Sequence, residues 1–129
     1  MPCSCPVDSI PFAIPESLRD CAPESAPGAS ICPTCLTVEP SAEPPSGEPD
    51  FSRISDAFPG GDGGVALALT LGLLESLALN RREIERALEA AERAGVDPLL
   101  AIDRLIDDPG VEPAIDLERR RDKLESLLY

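Results

Sequence analysis

Residues 65–79, VALALTLGLLESLAL, hold only three clearly polar side chains in fifteen positions, Thr70, Glu75 and Ser76. A helix apolar on nearly every face has to be wrapped by other elements. The run is too short, and too interrupted by Glu75, to span a bilayer, which takes about 20 apolar residues. It predicts a buried spine with helices packed around it.

The chain on either side of the spine differs in kind. Twelve of the fifteen prolines lie at or before Pro59, whereas Leu, Ala, Glu and Arg dominate after Gly64. That shift predicts a small head over residues 1–40, a Pro-rich linker over 41–49 (EPPSGEP and its flanks) that is extended and mobile, and a helical bundle over 50–129. The expected fold class is mainly α: a small helical bundle preceded by a Cys-rich, zinc-ribbon-like head with short β-strands. Such a head, tied by a linker, has little apolar core of its own.

Within the head, Cys3 and Cys5 form one close pair and Cys32 and Cys35 a second, CPTC. Two close thiol pairs suit one tetrahedral site, and two cysteines on a tight turn aim both sulfurs at one point. Pro33 presets that turn and gives up an amide hydrogen there. The second pair is therefore a good metal knuckle. The first pair departs from the pattern: one residue separates its cysteines, and 26 residues lie between Cys5 and Cys32. The insertion can hold an extended apolar stretch (Val7, Ile10, Phe12, Ile14) and one helical turn from Pro15. Ile31 and residues 36–38 then read as short strands flanking the knuckle. Cys21 is either a substitute ligand for Cys3 or Cys5 or a small apolar residue beside Leu18. The expected site is thus structural Zn²⁺ on the thiolates of Cys3, Cys5, Cys32 and Cys35. Unliganded thiols, and a redox pair at Cys32 and Cys35, are the competing readings; against the latter, no helix pattern follows Cys35 as a thioredoxin-like motif requires.

The helical part carries its own punctuation. Asp50 caps a short helix over 51–58 that places Phe51, Ile54 and Phe58 on one face, and PGGDGG at 59–64 breaks the chain, with Asp62 as the next cap. Asn80 and Glu83 spell a capping box, and Leu79 with Ile84 a hydrophobic staple, so a helix starts at Arg81. Ile84, Ala87, Leu88 and Ala91 form its inner stripe and Gly95 ends it. Asp97-Pro98 opens the next helix, to about Asp107, with Leu99, Ile102, Leu105 and Ile106 facing inward. A last helix starts at Pro113 or Asp116, with Leu117, Leu124, Leu127 and Leu128 on its apolar side. Connections this short favour antiparallel neighbours.

Charge narrows the functional classes. The net charge is −13, with acids in excess in every segment, and Lys123 is the only lysine among eleven bases. A distributed acidic surface disfavours nucleic acid and anionic lipid, because the phosphate term has the wrong sign. The expected helices over 81–94 and 98–107 have a helix-turn-helix outline, but Asp103, Asp107 and Asp108 in place of base-reading side chains make two packed bundle helices the better account. Arg119, Arg120, Arg121 and Lys123 have Glu118, Asp122 and Glu125 at neighbouring turns and read as a salt-bridged solvated face. No histidine occurs in the chain, which removes the commonest general base, and there is no P-loop or GxGxxG. The start, MPCSCPVDSI, has neither a basic stretch nor an apolar run, so the expected location is cytoplasmic, where thiols stay reduced.

The segments FAIPESLRD, ICPTCLTVEP, FSRISDAFP, GLLESLALNR, AGVDPLLAIDRL and DLERRRDKLESLLY together resemble a family of small proteins of halophilic archaea with an N-terminal zinc-ribbon-like cysteine cluster. Acid excess with Arg in place of Lys fits molar salt, where the Debye length is about 3 Å. The resemblance implies no activity. The expected function is a non-enzymatic zinc-binding adaptor whose partner is another protein, with no membrane contact; the alternative is a zinc-ribbon accessory factor touching nucleic acid in transcription or translation.

Overall fold

The computed structural model describes Cys3 and residues 5–129. Three short strands, β1 (Ile10–Ala13), β2 (Gly28–Ile31) and β3 (Val38–Ser41), form an antiparallel sheet in the order β1-β2-β3. In register, Ile10 faces Ile31 and Phe12 faces Ala29 across β1 and β2, while Ile31 faces Val38 across β2 and β3. Alternation in β1 buries Ile10 and Phe12 and exposes Pro11 and Ala13, so one face of the sheet turns inward. Four α-helices follow: α1 (Gly61–Leu73), α2 (Arg81–Arg93), α3 (Pro98–Ile106) and α4 (Leu117–Leu128). The mainly helical class, with a small sheet and a cysteine cluster in the N-terminal part, is as the sequence implies.

The spine is α1, buried continuously from Gly63 to Leu71. It packs along α2 and against β3, and α3 packs against α4 and α2. Its one buried polar side chain, Thr70, is satisfied by donating Oγ1–H to the Ala66 carbonyl at 2.9 Å. Two boundaries differ from expectation. The helix begins inside PGGDGG, with Gly60 at the cap position in place of Asp62, and gives way after Leu73 to a 3₁₀ turn, Leu74–Ser76. The glycines there serve close packing: a Cβ at Gly63 would lie 2.5 Å from Val96 Cγ2, and one at Gly64 2.6 Å from the Phe51 ring.

Head and bundle share one core. Ile10, Phe12, Ile14, Leu18, Ala29 and Ile31 of the head are buried in the same apolar cluster as α1 and α2. Phe12 meets Phe51 edge-on at 5.6 Å, and Phe51 meets Phe58 at 5.1 Å. The expectation of a head almost without apolar support is corrected: the bundle supplies it. The 3₁₀ segment Glu16–Cys21 lies against α1 and α2, with Asp20 paired to Arg86. Pro44, in the Pro-rich stretch, sits against Gly28, where an added Cβ would be 3.0 Å away.

The caps divide. Asp50, Asp97 and Asp116 each accept a backbone amide, from Ser52, Leu100 and Arg119. Asn80 does not: its side chain donates to the Leu73 carbonyl at 3.2 Å, and Leu79 is 85% exposed, so neither capping box nor staple forms. Residues 51–58 hold only a 3₁₀ turn, Phe51–Arg53, yet Phe51, Ile54 and Phe58 are all buried as expected. In α3 the buried side is Pro98, Ala101, Ile102 and Leu105, with Leu99 and Ile106 only half-buried. In α4, Leu117 and Leu124 are buried, whereas Leu127 is exposed.

Candidate metal centre

β2 and β3 are joined by the hairpin that carries the second cysteine pair. Cys32 N–H donates to the Thr37 carbonyl and Leu36 N–H to the Cys32 carbonyl, both at 3.0 Å, closing a tight loop around Pro33, Thr34 and Cys35. Leu36 takes the left-handed conformation, φ 63°. A non-glycine residue there is strained, and the burial of its side chain helps hold it. This conformation reverses the chain just after Cys35 and returns it into β3.

Cys3 and Cys5 come to the same place. The Sγ atoms of Cys3, Cys5, Cys32 and Cys35 all lie within 4.8 Å of one another. A tetrahedral metal with sulfur at about 2.3 Å sets sulfurs about 3.8 Å apart, so a small inward movement completes a four-coordinate site. Cys32 is fully buried and the other three are half-buried, a closed arrangement with no carboxylate or imidazole among its donors. Four thiolate donors suit a soft or borderline metal and are enough to fill a tetrahedral shell. The donor set therefore fits a metal ion.

Proton placement in the cluster follows from crowding. Hydrogen bonds with Cys32 and Cys35, together with burial, push the Cys5 thiol up to about 12. The Cys5 backbone favours a thiolate at Cys3, but hydrogen bonds to Cys32 and Cys35 and burial outweigh it and hold Cys3 above its ordinary value. Cys35 goes the other way. Burial opposes its ionisation, yet the Thr37 hydroxyl, 3.0 Å from Sγ, the Thr37 amide and the neighbouring thiols stabilise the thiolate and bring it to about 7. A divalent cation among these sulfurs would favour the thiolate at all four and displace the remaining protons.

Cys21 is not among the four sulfurs that meet. It is buried, its Sγ–H donates to the Glu83 carbonyl at 3.3 Å, and burial raises its thiol. It is a packing residue between head and α2, one of the two roles the sequence left open. The Arg119–Lys123 stretch is also more than a solvated face. Arg121 turns inward, donating through Nε and Nη2 to both Asp103 oxygens at 2.8 and 3.2 Å and through Nη1 to Glu125 at 3.0 Å, which ties α4 to α3.

The knuckle touches the bundle directly. Glu112 N–H donates to the Thr34 carbonyl at 2.8 Å and Ala114 N–H to the Cys35 carbonyl at 3.0 Å. Beside the sulfurs lies a cavity of about 660 Å³, lined by Cys3, Cys5 and Cys35 and by Ala114 and Ile115 among others. Nothing in the sequence marks these contacts, because they are made by main chain.

Fold and site together define a small, mainly α protein with a four-cysteine cluster, able to hold a metal ion, on a hairpin docked to its helices. The chain belongs to DUF6276, a family of unknown function, which it matches over residues 2–128. No curated protein and no solved structure matches it. Among the described residues, no helix is long and apolar enough to cross a membrane.

Proposed function

We propose that the four cysteines hold one structural zinc ion and that the protein acts by binding another protein, without catalysis. The observation that carries this is the convergence of four sulfurs, from both ends of the head, to within 4.8 Å. Zinc suits this donor set because it is satisfied by four thiolates in a tetrahedron and, as a structural ion, needs no open position. The complete absence of histidine, and an all-sulfur donor set, give substrate activation no obvious group. The acidic, arginine-over-lysine composition supports a high-salt cytoplasm as the setting and a protein partner in place of a polyphosphate.

Elemental analysis of the purified protein tests the reading. One zinc per chain is expected, with loss of that zinc in Cys32→Ser. Iron in place of zinc would change the metal but keep the site; well under one metal per chain, unaffected by Cys32→Ser, would end the proposal.

A further inference from the structure

The connection between α3 and α4, residues 107–116, has no regular secondary structure and contains Pro109, Gly110 and Pro113. Its own support is local: the Asp108 side chain accepts from Gly110 N–H at 2.8 Å, and Val111 is buried. Beyond that, two of its amides, Glu112 and Ala114, find their partners only in the cysteine hairpin, at the carbonyls of Thr34 and Cys35. Thr34 and Cys35 are the residues that a bound metal would fix, since they stand between and at two of its ligands. The same connection carries Ala114 and Ile115, which line the cavity of about 660 Å³ together with Cys3, Cys5 and Cys35.

We infer that metal occupancy is transmitted through these two main-chain hydrogen bonds to the α3–α4 connection, so that the cavity wall at Ala114 and Ile115 is set only when the four cysteines are loaded. This rests on the metal-binding reading above and adds its regulation. Without a cation to bridge the four sulfurs, the hairpin loses its central constraint. Leu36, at φ 63°, is then held in its strained conformation only by its packing and the hairpin's own two backbone hydrogen bonds. Opening of the hairpin withdraws the Thr34 and Cys35 carbonyls, and Glu112 and Ala114 N–H turn to water. The coupling is reciprocal: whatever breaks the clasp weakens metal retention by the same factor. One net hydrogen bond corresponds to about a fivefold change in affinity.

The test uses the full chain, zinc-loaded and after chelation, with amide exchange read residue by residue by NMR. Chelation is expected to speed exchange at Glu112 and Ala114 by about tenfold or more, while the core amides of Ala87 and Leu88 in α2 keep their protection. Ala114→Pro, which deletes one donor, should release zinc to a competing chromophoric chelator with about fivefold weaker affinity than Ala114→Gly, which keeps the N–H. Unchanged exchange at residues 112 and 114 in a chain that demonstrably lost zinc overturns the inference and leaves the metal site standing. So does loss of protection in α2 to the same extent, which would mean global unfolding. If Ala114→Pro fails to fold, the exchange experiment on the unaltered chain decides. A chain that binds no metal at all fails at the earlier step, and metal analysis of the same sample identifies that failure.

Discussion

Replacing Gly72 by alanine sets two effects of known sign against each other at the joint between sheet and spine. Gly72 is the next-to-last residue of α1 and faces Val38 of β3; a Cβ there would lie 2.9 Å from Val38 Cβ and 3.1 Å from its Cγ2. Glycine to alanine in a helix stabilises by about 0.5–1 kcal/mol when space is available. Here the nearest atom is a Cβ fixed to a strand, so helix or strand has to move, and such overpacking costs about 1–3 kcal/mol. The net expectation for Gly72→Ala is destabilisation by about 1–2 kcal/mol. Urea unfolding of zinc-saturated protein, followed by circular dichroism, measures it. Val38→Ala removes the two γ-carbons and should relieve part of the overlap, giving a double-mutant coupling of about 0.5–1 kcal/mol. Gly47→Ala, with nothing within 4 Å of the added carbon, is the control and should stay within about 0.5 kcal/mol of the parent. If Gly72→Ala is as stable as the parent or more so, and the cycle is additive, α1 is not seated on β3 and the shared core is wrong.

Further predictions concern the hairpin and the helix pair. Leu36→Gly relieves left-handed strain of about 1–2 kcal/mol but exposes a buried leucine site that stabilises by about 1.5–3 kcal/mol, so calorimetry should show a modestly lower Tm rather than a gain. In metal-free protein, alkylation of Cys35 by iodoacetamide should be half-maximal near pH 7, and Thr37→Val should move that midpoint upward. Because folding lowers this thiol from its ordinary 9.0 to about 7, its contribution to apo-protein stability is fully present above pH 9 and is lost as pH falls through about 7, a dependence that urea titrations at several pH values would register. Arg121→Ala should lower Tm by removing the Asp103 and Glu125 bonds together, and Arg121→Lys should recover only part, since an ammonium cannot reproduce the two-point contact with Asp103.

What the sequence reveals here is what side chains do locally. Asp97 before Pro98 is a cap whose partner lies three residues on, and it forms as spelled; of the two starts left open for the last helix, Pro113 and Asp116, it is Asp116 that caps. Asn80 has the same local pattern, but it lies where the 3₁₀ turn after α1 leaves the Leu73 carbonyl open, and that acceptor takes its side chain instead. The glycines of PGGDGG look like a break because local propensity says so. Two of them, Gly63 and Gly64, are instead helical positions without room for a Cβ, crowded by Val96 in one case and by the Pro59 carbonyl and the Phe51 ring in the other, and Val96 and Phe51 are not neighbours that local propensity can foresee. The cysteine quartet was legible because thiol spacing is itself chemistry. That Cys3 and Cys5 reach Cys32 and Cys35 despite their irregular spacing depends on β1 and β2 pairing around the 3₁₀ insertion. The clasp from Glu112 and Ala114 left no trace, since any non-proline residue offers the same N–H.

Zinc K-edge X-ray absorption on the protein as purified reads the inner coordination shell directly. Four sulfur neighbours at about 2.3 Å, with no nitrogen or oxygen shell, are predicted from the convergence of Cys3, Cys5, Cys32 and Cys35. A shell of nitrogen or oxygen at about 2.0–2.1 Å, or fewer than four sulfurs, would contradict the account at its centre.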